Sequence, residues 1–251
     1  MDRSPYAPPV AELAPEAPGA QPVPPADTVD LGAAISYPFA TPDWWQRCVV
    51  PGVFLFIPVV GFAAYLGWLR TIVDQVRAGQ PGEVPRFSFG DHMSYGWQPF
   101  GAAVLTGMCI GMGFMILYVL AFGLTAGLEA GLGEAGATLG IFVMLALNLF
   151  QLVANVVFQV YAVEMWRLGF RGEFFPLAHI STSWKAASAS LVPMLLTALG
   201  LFVFNLLGSL GFFLFCVGFL VTLPMSGAMM AHAIGQWDRV VQTAADRAAS
   251  A

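Results

Sequence analysis

Charge is what this sequence has least of. Asp, Glu, Lys and Arg make up 10% of its 251 residues, against about 25% in soluble domains. Between positions 186 and 237 there is not one of them. Apolar residues reach 58%, and the mean hydropathy is +0.73. A water-soluble globule is excluded, and the lipid bilayer becomes the first expected partner. The ten basic residues form no stripe, which excludes nucleic acid as a partner. Six of the fifteen acids precede residue 44, so the net charge of −5 belongs largely to the N-terminal tail.

Cysteine is nearly as scarce. Cys48, Cys109 and Cys216 lie far apart in or beside apolar runs, with no CxxC, which argues against a disulfide framework and a zinc site. They read as small buried hydrophobes. No nucleophile elbow, phosphate loop or metal box is present, and the His-x-Ser pairs have no positioned third partner. Neither an enzyme nor a cofactor or metal is expected. Met108, Met112 and Met115 beside Cys109 are soft ligands that suit Cu(I), but they read better as a flexible packing surface.

What is present is a row of long apolar runs. Residues 1–30 hold eight prolines among Ala and acids, a composition expected to stay disordered, and no secretory signal is visible. Residues 31–237 form a transmembrane helical domain, followed by a short tail at 238–251. The expected fold is all-α: a polytopic transmembrane helix bundle with about five membrane-embedded segments. These lie near 48–70, 99–123, 137–165, 190–207 and 211–235. Polar, amphipathic connections at 70–98 and 166–190 join them, with a Gly-rich loop at 124–136 and a break at LGSLG, 207–211. Thr41, Pro42 and Asp43 suit a helix start with Thr41 as its cap, and Trp44, Trp45 and Arg47 suit an interface. Pro51 and Pro58 interrupt the first run, which leaves a kinked span and a re-entrant hairpin both open; five crossings are the favoured count.

The third run, 137–165, is the one around which the others are expected to gather. Asn148, Gln151, Asn155 and Gln159 recur at spacings of three, four and four, on one helical face. Amides facing lipid have no partners, so this face should meet other helices or water. It reads as interhelical glue, or alternatively as the lining of a passage. Glu164 stands at the end of the same helix with Arg167 one turn on, an interfacial ion pair. His232, with Gln236 one turn on, reads as packed and hydrogen-bonded in the fifth run. Gly107 and Gly111 form a GxxxG pair, and Gly227, Ala231 and Gly235 a second small-residue ladder, both expected to let helices pack closely.

Lys and Arg alternate by loop: three in 70–98, none in 124–136, three in 166–190, none in 207–211, two after 237. By the positive-inside rule both long connections and the C-terminus are cytoplasmic, in the cell membrane. His92-Met-Ser-Tyr-Gly-Trp97 and His179-Ile-Ser-Thr-Ser-Trp184 share H-x-S-x-x-W, either a parallel internal repeat or common interface composition.

The run LGAAISYPFATPDWW at 31–45, then GWLRTIVDQVRAG at 67–79 and the VP-aromatic stretch at 84–89, resembles the prokaryotic membrane family called domain of unknown function 4013. The matching positions are Tyr37, Pro38, Pro42, Asp43, Trp44, Gly67, Arg70, Pro85, Phe87 and Gly96. Trp68 replaces the family's Tyr, and Ser88 and Phe89 stand where it is acidic, so no role of those acids carries over. The resemblance implies a multi-pass bacterial or archaeal protein and brings no activity.

Taken together, the residues point to a structural or assembly component that self-associates or binds a membrane protein partner. The alternative is a small-solute or ion transporter or channel that uses the amide face.

Overall fold

A computed structural model describes residues 26–80, 82–211 and 217–250. Of the Pro-rich stretch 1–30 expected to be disordered, residues 1–25 lie outside the described residues, as does Cys216. Residues 26–30 are placed against the bundle, with Val29 buried and Asp30 bonded to Gln236, which corrects that part of the expectation. All regular structure among the described residues is helical. In chain order the helices are α1 (Leu31–Ser36), followed by a 3-10 turn Tyr37–Ala40, α2 (Trp44–Phe54), α3 (Val60–Arg77), α4 (Phe89–Leu132), α5 (Glu134–Phe170), α6 (Pro176–Ser188), α7 (Leu191–Leu210) and α8 (Val217–Ser250).

Four of them, α4, α5, α7 and α8, are long and apolar enough to cross a membrane. The favoured fifth crossing, 48–70, is corrected. Its 11-residue α2 reaches only about 16 Å at about 1.5 Å per residue, short of a hydrocarbon core of about 30 Å. The chain then reverses at Pro58-Val59-Val60. Val59 takes φ 65° and ψ −65°, and Val60 N donates to Pro58 O at 2.7 Å, the strained hand of γ-turn. The start of α2 is tied to the connection that follows α3: Arg47 donates to Glu83 Oε2 at 2.8 Å and to Val84 O. The first apolar run is a helix–turn–helix that returns to the level it started from.

Other boundaries move for local reasons. Thr41 does not cap: α2 follows Asp43, and Thr41 contributes only its carbonyl, to Trp44 N. The expected loop 124–136 is almost entirely helical, because its Ala, Leu and Glu are good helix formers. Gly133 alone breaks it, at φ 57° and ψ −132°, a conformation open to glycine. Helix α7 runs through the expected break to Leu210, and the 238–251 tail is the end of α8.

The largest correction concerns the centre. Helices α3 and α8, not the 137–165 run, form the centre: α3 is buried along most of its length, and α8 packs against α1, α2, α3, α5, α6 and α7. Tyr65, Leu66, Trp68, Leu69, Ile72, Val73 and Val76 are all buried, in one core with Ala228, Ala231, Ile234 and Trp237 of α8, which in turn packs on α7. Glycine brings α3 against α4 backbone to backbone. A Cβ on Gly67 would fall 1.8 Å from His92 O, and one on Gly96 1.8 Å from Ala63 O. Trp68 Nε1 donates to Pro85 O at 2.9 Å and pins the α3–α4 connection. Helices α4 and α5, by contrast, form a long hairpin. In their most apolar windows 6% and 0% of residues are buried, against 39% in α7 and 56% in α8.

Candidate functional site

Where α3 and α5 end against the middle of α8, their charges form one cluster. Asp238 is fully buried and accepts from Arg167 Nη1 at 3.0 Å, Arg171 Nε at 2.8 Å and Arg77 Nε. Arg167 also grips Glu164, with Nε 3.0 Å from both carboxylate oxygens and Nη2 2.8 Å from Oε2. Trp237 Nε1 donates to Glu164 Oε1 at 2.6 Å. On the α3 side Arg77 Nη1 reaches Asp74 Oδ1 at 2.8 Å, and Tyr95 Oη of α4 donates to Asp74 Oδ2 at 2.6 Å. With Arg70, whose Nε lies 4.0 Å from Asp74 Oδ2, four arginines thus meet three carboxylates. The Glu164–Arg167 pair is present, as part of a clamp on three helices. Sequence reasoning passed over Asp74, Arg77, Arg171 and Asp238. The available signal was Asp238 itself, the first acid after more than fifty uncharged residues.

The amide stripe divides in two. Tyr118 Oη of α4 meets Gln151 Oε1 and lies 3.5 Å from Asn148 Oδ1, while Asn148 Nδ2 bonds back to Met144 O at 2.7 Å. These two amides hold α5 to α4. Among the described residues Asn155 and Gln159 have no hydrogen-bond partner. Asn155 instead lines a groove of about 430 Å³ between α4 and α5, with Gln151 and Thr106. The expected close packing at Gly107 and Gly111 is corrected. Both line this groove, and nothing within 4 Å occupies the place of a Cβ on either. Met108, Met112, Met115 and Cys109 stand exposed along α4.

The second ladder is filled. A Cβ on Gly227 would fall 1.8 Å from Tyr65 Oη, one on Gly235 2.7 Å from Val76 Cβ, and Ala231 is fully buried. It is the seam between α8 and α3. His232, on α8, stacks 4.7 Å from Tyr37, with Nδ1 2.9 Å from Gln236 Nε2. Gln236 in turn exchanges two bonds with the Asp30 backbone, at 2.6 and 3.0 Å, fastening the N-terminal segment to α8. Burial pushes the Tyr37 phenol well above its ordinary value. A cavity of about 380 Å³ lies here between Asp30, Tyr37, His232 and Gln236. At the start of α2, the hydrogen bond from Arg47 Nε, 2.9 Å long, holds the Asp43 carboxyl below the usual carboxylate range.

The two H-x-S-x-x-W copies make different contacts. His92 is buried, stacks on Phe87 and accepts from Ser88 N at 2.9 Å. His179 is exposed, with Nε2 3.5 Å from Glu173. Trp97 is exposed, whereas Trp184 stacks 4.5 Å from Tyr161.

No protein-family model, curated protein or solved structure matches this chain. The geometry alone carries the functional reading.

Proposed function

We propose that this protein is a membrane assembly component that presents its α4–α5 hairpin to the transmembrane helices of a partner. The observation that carries this reading is the hairpin's length beside its bareness. Gln98 of α4 sits at the level of the charge cluster, bonded to Arg70 Nη1 at 2.8 Å. From there to Leu132 α4 extends about 52 Å at about 1.5 Å per residue. At an ordinary tilt of about 20° it still covers about 49 Å, more than the roughly 45 Å of a whole bilayer. Helix α7, with 20 residues, covers only about 30 Å. The tip of the hairpin therefore carries exposed Leu132 past the bilayer, where lipid no longer covers it. Gln159, without a partner among the described residues, adds a second reason for a neighbour.

The division of the amide stripe favours glue over a passage, since Asn148 and Gln151 are both engaged with Tyr118. With the first run folded back and four crossings, both ends lie on one side, and the loop count of Lys and Arg makes that side the cytoplasm of a prokaryotic cell membrane. The resemblance to domain of unknown function 4013 is compatible with this placement and adds no activity.

Cysteine crosslinking in native membranes tests the reading. Cys109, with reporters at Leu124→Cys and Leu139→Cys, is expected to give discrete protein adducts. A reporter at Leu199→Cys on α7, in a Cys109→Ser background, is expected to give none. Adducts absent from every hairpin position would remove the proposal. A product of twice the chain mass would identify the partner as a second copy.

A further inference from the structure

The groove between α4 and α5 has the features of a ligand site. At about 430 Å³ it falls within the roughly 300–1,000 Å³ of small-molecule pockets, which are mostly apolar with a few placed polar groups. Its floor is bare helix at Gly107 and Gly111, where no atom lies within 4 Å of a Cβ position. Phe114, Phe158 and Trp166 supply flat apolar walls, and no lining residue is ionisable.

Thr106 is the decisive residue. It is 8% exposed, lines the groove, and its Oγ1 has no hydrogen-bond partner. That is unusual for a helical threonine in a membrane, which ordinarily bonds a carbonyl three or four residues back. Here Thr71, Thr125, Thr138 and Thr197 all do so, at 2.8–3.1 Å. Asn155 is without a partner among the described residues, and Gln151 uses its carbonyl on Tyr118, which leaves its N–H groups. The groove thus holds an unpaired hydroxyl buried in its wall and two amides, donors without charge. Thr106 and Gly111 lie 8 and 13 residues past Gln98, or about 12–20 Å into the bilayer at about 1.5 Å per residue. Only a molecule that dissolves in hydrocarbon reaches them. An acyl chain would cover the walls and leave the donors unpaired. A flat ring with carbonyl oxygens on an apolar tail satisfies both.

We propose that the α4–α5 groove binds a neutral quinone-type lipophile from the bilayer, with ring oxygens accepting from Thr106, Asn155 and Gln151. Its occupancy does not depend on whether the hairpin's outer face holds a partner.

The test uses the full chain in phospholipid nanodiscs, titrated with decylubiquinone, with tryptophan quenching as the readout. A saturable component is expected in the wild type and is lost in Trp166→Phe. Gly111→Leu, which fills the groove from open space, is expected to weaken it at least tenfold. Thr106→Val is expected to weaken it severalfold. Gly123→Leu, open but outside the groove, is expected to leave it unchanged. Thermal midpoints unaltered in all variants keep the comparison meaningful. Three results would overturn the proposal: no saturable component, equal binding by Gly111→Leu, or equal competition by decane, which would mean a groove for chains of any kind. Displacement of the quinone by a second copy, crosslinked through Cys109, would also overturn it.

Discussion

Helix α3 carries three charged residues in 18, and α5 carries an apolar run of nearly thirty with four amides. On hydropathy α5 should sit at the centre and α3 at the rim. The structure reverses this. In water, apolar surface drives a helix inward. In a bilayer the lipid is as apolar as leucine, so hydrophobicity sets depth but not burial among helices. Close approach and polar contact decide that instead. Helix α3 has both: Gly67 lets the α4 backbone touch it, Gly235 lets α8 close on Val76, and Asp74 and Arg77 tie it into the charge cluster. Helix α5 has Tyr118 and the close approaches of Gly136 and Gly140, all to α4 within the hairpin, and the clamp at its other end.

This contrast can be broken at the clamp first. Asp238→Leu leaves Arg167 buried with half its partners and is expected to cost about 3–5 kcal/mol, the usual penalty for breaking a buried pair. Thermal unfolding in detergent should register it as the largest loss of any single change here. Next is the small-residue seam. Gly235→Leu, pressed against Val76 and Val73, is expected to cost about 1–3 kcal/mol by overpacking. Gly111→Leu on the open hairpin should leave the same midpoint unchanged. Equal losses from the two would erase the distinction between seam and hairpin.

Within the hairpin, Tyr118→Phe removes the hydrogen bonds to Gln151 and Asn148. It is expected to cost about 0.6 kcal/mol, the average for an interhelical contact in membranes. The smallest effect is at the rim. Asp43's folded pKa lies below its unfolded value of 3.8, so its contact with Arg47 stabilises the fold above that pH. The contribution disappears as pH falls through the folded value, while Arg47 stays charged. Midpoints measured between pH 5 and pH 3 should fall slightly more steeply for the wild type than for Asp43→Asn.

Much of this was legible beforehand. The all-α class, four of the apolar segments and the seam at Gly227, Ala231 and Gly235 can be read from composition and from spacing along one helix. The GxxxG pair at Gly107 and Gly111 looks equivalent in sequence, yet one ladder is full and the other empty. Spacing reports that a face is small; it does not report what arrives there. The charge cluster was hidden for a related reason. Its members come from positions 74 and 77, 164 to 171, and 238, and nothing local links an acid at 238 to an arginine at 77.

The sequence by itself determined that this chain lives in lipid, that its backbone closes into helices, and where the polar atoms lie along each one. Those follow from transfer energies and helical period, which act within a segment. Only the tertiary structure decided that the first run turns back at Val59, that α3 and α8 form the centre, and that Thr106 and Asn155 face a groove instead of a neighbour. Those outcomes depend on which backbones can touch and which charges can pair across long separations, and no single segment carries that information.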